Sequence, residues 1–204
     1  MSYSNTDTGS KPADPYTEKN QEEPGAEQKI TDLSDFVQRS KFGMMTTKSA
    51  HSDVLASRCM ALAATEAGGV DLIFHTNTES GKTDDLEKSP AINMSFYNNS
   101  GEWASVSGDA EIITDRSVVS KYYTPSLKTW LGDLGDGKHD GSENDPRIGV
   151  IKIKTKTATY AIARSNPISR GIEMVQGAIT GNTAQVNKLR EITESEISSW
   201  RSSH

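Results

Sequence analysis

Seven short stretches of this chain are apolar or alternate apolar with polar residues, and each is bounded by Gly, Asn, Asp or Pro. They cover residues 42–47, 54–64, 70–76, 91–98, 102–113, 148–163 and 171–180. A period of two sends successive side chains to opposite faces of a strand, and the bounding residues supply the turns that reverse it. Gly68-Gly69 and the segment from Asn98 to Gly101 stand where hairpin turns are needed. Helical intervals are too few for βαβ units and no Gly-x-Gly-x-x-Gly follows a strand, which excludes a parallel dinucleotide-binding sheet. Six or seven antiparallel strands joined mostly by hairpins predict a mainly β fold, a barrel with short peripheral helices.

Caps place the helices. Thr31 or Asp32 can open a helix that puts Ile30, Leu33, Phe36 and Val37 on one face. Residues 83–88 form a short helix stopped by Pro90, and residues 115–123 and 125–131 form two more, with Thr114 and Thr124 as caps. A Thr-x-x-Glu capping box at Thr193 and Glu196 opens a last helix, ending at Arg201.

Residues 1–28 are almost devoid of apolar side chains and are expected to be a disordered tail, because too little surface can be buried to offset ordering entropy. Residues 29–180 are then the barrel domain, and residues 181–204 a C-terminal extension with its short helix. No apolar stretch approaches the roughly 20 residues of a membrane span, and the N-terminus has no signal-peptide core, so a soluble cytoplasmic protein is expected. Cys59 is the only cysteine, which leaves no internal disulfide and no Cys-cluster zinc site. The formal charge of −6 argues against a general nucleic-acid surface. His51, His75, His139 and His204 are scattered, with no pair at the helical spacing of a zinc site. No Gly-x-Ser-x-Gly elbow marks a hydrolase.

The densest chemistry lies in FHTNTESGKTDD, from Phe74 to Asp85. Thr76, Thr78, Ser80 and Thr83 offer hydroxyls and Lys82 a mobile cation, at the N-terminus of the predicted 83–88 helix, where free N–H groups and the helix dipole favour anions. Such a group suits a phosphate. It is not a nucleotide P-loop, because the Gly required five residues before Gly81 is Thr76. A second near-match, GDLGDGKH from Gly132 to His139, ends in His139 where a magnesium-binding hydroxyl is needed, and carries Asp133 and Asp136, which repel phosphate.

Taken together, SRCMALAA (from Ser57), FHTNTESGKTDDLEKSPAINMSFYN (from Phe74) and EWASVSGDAEII (from Glu102) resemble the FMN-binding split barrels, the superfamily of pyridoxamine 5'-phosphate oxidases and general stress proteins. The similarity runs from about Thr31 to Ala163. The stretch RGIEMVQGAITG followed by VNKLREITESEISSW looks like the fungal blue-light-inducible stress proteins. The resemblance implies a split β-barrel, a homodimer, and FMN held at the subunit interface, with FAD or a deazaflavin left open. It implies that Thr76, Ser80 and Lys82 surround the flavin phosphate and that the strand Arg58, Cys59, Met60, Ala61 meets the isoalloxazine ring. Cys59 and Met60 equally suit barrel packing, and Arg58 a surface salt bridge. His75 is a further candidate for contact with the cofactor; Trp103 matches a position beside the flavin, and Trp130 lies in a helical insertion that reaches the partner. If the protein is an enzyme, electrons come from NAD(P)H; otherwise it buffers or senses flavin. Three departures bear on the reaction. Where the oxidases carry basic groups for their phosphorylated substrate, this chain has Ala63, Gly81 and Thr124, so vitamin-B6 oxidation is not expected.

Overall fold

The computed structural model describes residues 14–164 and 183–204. Seven strands, β1 (Phe42–Lys48), β2 (Leu55–Glu66), β3 (Asp71–Asn77), β4 (Ala91–Tyr97), β5 (Trp103–Ile113), β6 (Ile148–Ala163) and β7 (Asn187–Ile192), form one antiparallel sheet in the order β3-β2-β1-β4-β5-β6-β7. β3 also pairs with β6, from Leu72 opposite Ile153 to Asn77 opposite Ile148, so six strands close into a barrel and β7 extends it on the free flank of β6. The expected split-barrel architecture is therefore the one observed.

Alternation decides the interior. Met45, Met60, Leu72, Phe74, Met94, Phe96, Val106 and Ile151 are buried in one apolar cluster, while their sequence neighbours on β1, β2 and β4 are more exposed. The β5–β6 register shifts between Ser107 and Gly108, opposite which β6 bulges at Lys156, and a Cβ on Gly108 would lie 2.3 Å from the backbone oxygen of Lys154. Only a residue without a side chain allows the two strands to approach there.

Six α-helices are described: α1 (Pro15–Asn20), α2 (Ala26–Ser40), α3 (Gly81–Lys88), α4 (Arg116–Tyr122), α5 (Leu127–Leu131) and α6 (Glu194–Arg201). α2 buries Ile30, Leu33, Phe36 and Val37 in the barrel cluster, as the periodicity predicts. It begins before Thr31 and Asp32, because the Asp32 carboxylate pairs with the buried Arg190 instead of capping a helix. α4 is capped by Asp115 rather than Thr114, and α5 starts at Leu127 after Ser126. α4 and α5 cover a second apolar cluster of Ile73, Val119, Ile148 and Val150 on the outside of the barrel. The capping box at Thr193 and Glu196 forms as expected.

The polar N-terminal segment departs from its composition. From Asp14 onward it is structured: Asp14 caps α1, Asn20 is fully buried, and the Glu22 N–H bonds the Leu189 carbonyl of β7 at 2.9 Å. Specific polar contacts hold it where apolar burial is lacking. Asn20 Oδ1 accepts from Asn187 N at 2.9 Å, and Glu22 pairs with both Arg190 and Arg164. β7 itself was not predicted. Its sequence, NKLREI, has only Leu189 and Ile192 as apolar residues, three positions apart, so it lacks the period of two that marks a strand and reads as an extension. The predicted strand 171–180 lies outside the described residues. Among the described residues no helix is long and apolar enough to cross a membrane.

Candidate phosphate-binding site at the β3–α3 turn

β3 leaves the barrel at Asn77 and α3 starts at Gly81, so residues 78–80 make a tight turn. The turn is tied by its own polar groups. Asn77 Oδ1 accepts the Glu79 N–H at 2.9 Å, and Ser80 Oγ donates to the Asn77 carbonyl at 2.7 Å. Lys82 Nζ donates to Ser80 Oγ at 2.6 Å. Thr76, buried at the end of β3, donates to the Asn77 carbonyl at 3.2 Å. Thr78, counted from sequence among the hydroxyls of the cluster, turns its Oγ1 to the Pro146 and Arg147 carbonyls instead.

A second cation arrives from β2. Arg58 crosses β1 to donate to Thr47 Oγ1 at 2.8 Å and to Asp85 Oδ2 at 2.9 Å. Asp85 is buried in α3 and also accepts from Ala50 N at 2.8 Å and Thr47 Oγ1 at 3.0 Å. The Ala50 N–H, with Arg58 and Thr47 behind it, holds the Asp85 carboxyl below the usual carboxylate range against the opposing effect of burial. Arg58 is thus the salt bridge its sequence also suited, and it stands near enough to Lys82 for the two charges to interact. Burial first, then the Arg58 charge, push the Lys82 ammonium below the usual lysine range. Among the described residues no carboxylate lies within ion-pair distance of Lys82.

These features fit a phosphate monoester. A half-buried ammonium with no counter-ion beside a second cation is relieved by a bound anion, which restores its charged form. Thr83 Oγ1, in the first turn of α3, is buried and unpartnered among the described residues. A Cβ at Gly81 would meet nothing within 4 Å, so the helix end is open. Hydroxyls, an ammonium, a guanidinium and free N–H groups are the donors a dianion needs.

The remaining sequence candidates do not converge there. Met60 is 8% exposed and belongs to the barrel core, while Cys59 and Ala61 face outward on β2. His75 alternates away from Thr76, and its ring bonds the Tyr122 backbone under α4; burial pushes its pKa down and its Nε2 is unpartnered among the described residues. Trp103 is half-buried on β5, with β1 and β4 between it and β2. Trp130 on α5 is 83% exposed. Ala61 faces the exposed Phe42, and Trp103 faces the exposed Tyr97, so the outward candidates share a sheet face with large apolar side chains. Ala63, Gly81 and Thr124 are all exposed. Sequence reasoning missed Asp85 and Thr47, which orient Arg58. The only signal for Asp85 was its place one helical turn after Lys82.

Residues 28–185 match the family described as "Pyridoxamine 5'-phosphate oxidase like". Protein bli-3 of Neurospora crassa is 59% identical over 204 residues, covering 99% of this chain and 98% of its own. A solved Clostridium acetobutylicum protein related to general stress protein 26 shares the fold at a TM-score of 0.59 and 17% identity, over 84% of this chain and 98% of its own. A pyridoxamine 5'-phosphate oxidase-related, FMN binding protein of Nostoc punctiforme aligns at a TM-score of 0.53 and 16% identity, over 70% of this chain and 85% of its own.

Proposed function

Because this chain belongs to the pyridoxamine 5'-phosphate oxidase-like family, we propose that it is a flavoprotein that binds FMN, with the flavin phosphate at the β3–α3 turn. The observation that carries this reading is the pairing of Lys82, desolvated and without a carboxylate partner among the described residues, with Arg58 at the open start of α3. Ser80 and Thr76 supply hydroxyls on the strand side, and Asp85 and Thr47 hold the Arg58 guanidinium close enough to Lys82 for the two charges to interact. The FMN named for the Nostoc relative supports the choice of mononucleotide over FAD.

The isoalloxazine ring belongs, in this reading, on the outer face of β2, where Cys59 and Ala61 leave room for a flat ring against the backbone. A second copy of the chain covers it. Phe42, Leu55 and Tyr97 are 56%, 71% and 73% exposed there, a large apolar area for a monomer to leave in water. Trp103 lies on that face, and the exposed Trp130 reaches the partner. We place the homodimer in the cytoplasm, where the lone exposed Cys59 stays a thiol.

The bound flavin supplies two-electron redox chemistry with NAD(P)H as donor. The chain's own residues hold the phosphate, orient the ring and exclude water from one of its faces. With Ala63, Gly81 and Thr124 in place of basic groups, the substrate is not a B6 phosphate ester. Denaturing the purified protein and identifying the released molecule by absorbance and mass tests the cofactor; release of FMN is expected, and a colourless protein that takes up no added FMN overturns the proposal. Anaerobic NAD(P)H is expected to bleach the holoprotein near 450 nm, whereas indifference would leave a flavin buffer or sensor.

A further inference from the structure

Asp145 and Arg147 form a buried ion pair outside both apolar clusters. Asp145 is 0% and Arg147 5% exposed, with Arg147 Nη2 at 2.6 Å from Asp145 Oδ2 and Nε at 3.1 Å from Oδ1. A buried pair of this kind is seldom a net gain over apolar packing, so its geometry invites a functional account. Its other bonds reach α5, the loop that follows it, α4, the start of β6 and the β3–α3 turn. Arg147 Nη1 donates to the Leu131 carbonyl at 3.1 Å and Nη2 to the Gly132 carbonyl at 2.9 Å, which ties down the C-terminus of α5 beside Trp130. On the other side, the Arg147 carbonyl accepts the Thr78 N–H at 2.8 Å and the Thr78 hydroxyl at 3.2 Å, inside the β3–α3 turn. Asp145 Oδ2 accepts the Gly141 N–H at 2.7 Å, and Arg116 Nη1 donates to the Asp145 carbonyl at 2.9 Å, which anchors the pair to the loop after α5 and to α4.

We propose that Arg147, oriented by Asp145, is a positioning residue that joins the phosphate-binding turn to the α5 arm carrying Trp130, so that phosphate seated in the turn fixes the arm. The inference rests on the phosphate site proposed above. Guanidinium geometry is essential to it: one planar fork meets both Asp145 carboxylate oxygens and two carbonyls, four bonds that the three N–H donors of a point-like ammonium cannot reproduce.

The test compares FMN with riboflavin, which differs only by the phosphate, on the full-length protein. In the parent, FMN is expected to bind at least ten times more tightly than riboflavin and to slow amide hydrogen exchange in residues 127–134, while riboflavin slows it less. In Arg147→Lys the affinity ratio should fall at least fivefold through weaker FMN binding, with riboflavin affinity unchanged and protection of 127–134 by FMN lost. If Arg147→Lys does not fold, the paired variant Asp145→Asn with Arg147→Met removes both charges and keeps the volume, and the same changes are expected. An unchanged ratio with full protection overturns the inference while leaving the phosphate site standing, and equal weakening of both flavins reduces Arg147 to a structural role. A parent that binds flavin without preferring FMN overturns the phosphate site itself, and the inference with it.

Discussion

Replacing Asp85 by Asn isolates the charge that orients Arg58. The amide keeps the shape of the carboxylate and one oxygen, which can still accept the Ala50 N–H now held at 2.8 Å. Its NH2 then faces Arg58 and Thr47, which at present donate to Oδ2 at 2.9 and 3.0 Å. Thr47 can rotate its hydroxyl to accept, and the Arg58 side chain, 32% exposed, can turn toward water. The main loss is one charge-assisted hydrogen bond, about 1.5–3 kcal/mol, taken at about 2 kcal/mol because Arg58 is partly hydrated. For a chain of this size that lowers the thermal midpoint by about 4–8 °C. The pH dependence follows from the depressed Asp85 carboxyl. A depressed carboxylate contributes stability above its unfolded pKa of about 3.9, and that contribution disappears as pH falls through the lower folded value. Parent and variant should therefore differ at pH 7 and converge in acid below about pH 4. Thermal melts of both proteins from pH 7 to pH 3 measure this. A midpoint difference under 1 °C at pH 7, or one that persists undiminished into acid, would refute the electrostatic role given to Asp85.

Gly108→Ala should be among the most damaging single-methyl changes in the chain, at more than about 2 kcal/mol, because the added Cβ meets the Lys154 backbone oxygen rather than a movable side chain; a denaturant midpoint equal to the parent's would show that the bulge can move. Removing residues 1–23 strips Asn20 and Glu22 from Asn187 and Arg190, and a stability loss of about 1–3 kcal/mol is expected by urea melting. Lys82→Ala should weaken FMN at least tenfold, about 1.4 kcal/mol, with circular dichroism unchanged; equal affinity would remove Lys82 from the phosphate site. FMN-loaded protein given pyridoxamine or pyridoxine phosphate under oxygen should make no pyridoxal phosphate, and turnover near one per second would mean that other residues supply the missing clamp.

The barrel was legible because its signal is local. Alternation in 91–97 and 103–113 and the turn residues between them are set within a few positions, and both strands appear where the pattern puts them. The polar turn proposed to hold the phosphate could be picked out for the same reason, since Thr76, Ser80 and Lys82 lie within seven residues of one another. What stayed hidden depends on partners far away in sequence. Asp32 looks like a helix cap until Arg190 arrives from β7, and Asn20 and Glu22 look like solvated tail until the same strand gives them partners. The Arg58 salt bridge needs Asp85 from the far side of β3. Polar side chains carry no periodic signature, so a buried polar network cannot be read until its members meet.

The double pairing of β6 sets an order of assembly. Phe74 finds its ladder partner in Ile151, and Ala104 in Tyr160, so β3 and β5 each keep an open edge until β6 has been made. On the ribosome, the first five strands emerge as a curved sheet with two unsatisfied borders, a template for pairing with neighbouring nascent chains. Closure is a long-range event, and its loop entropy must be met before any contact of β6 rewards it. A chain arrested before residue 148 would thus be aggregation-prone although it holds five of the seven described strands.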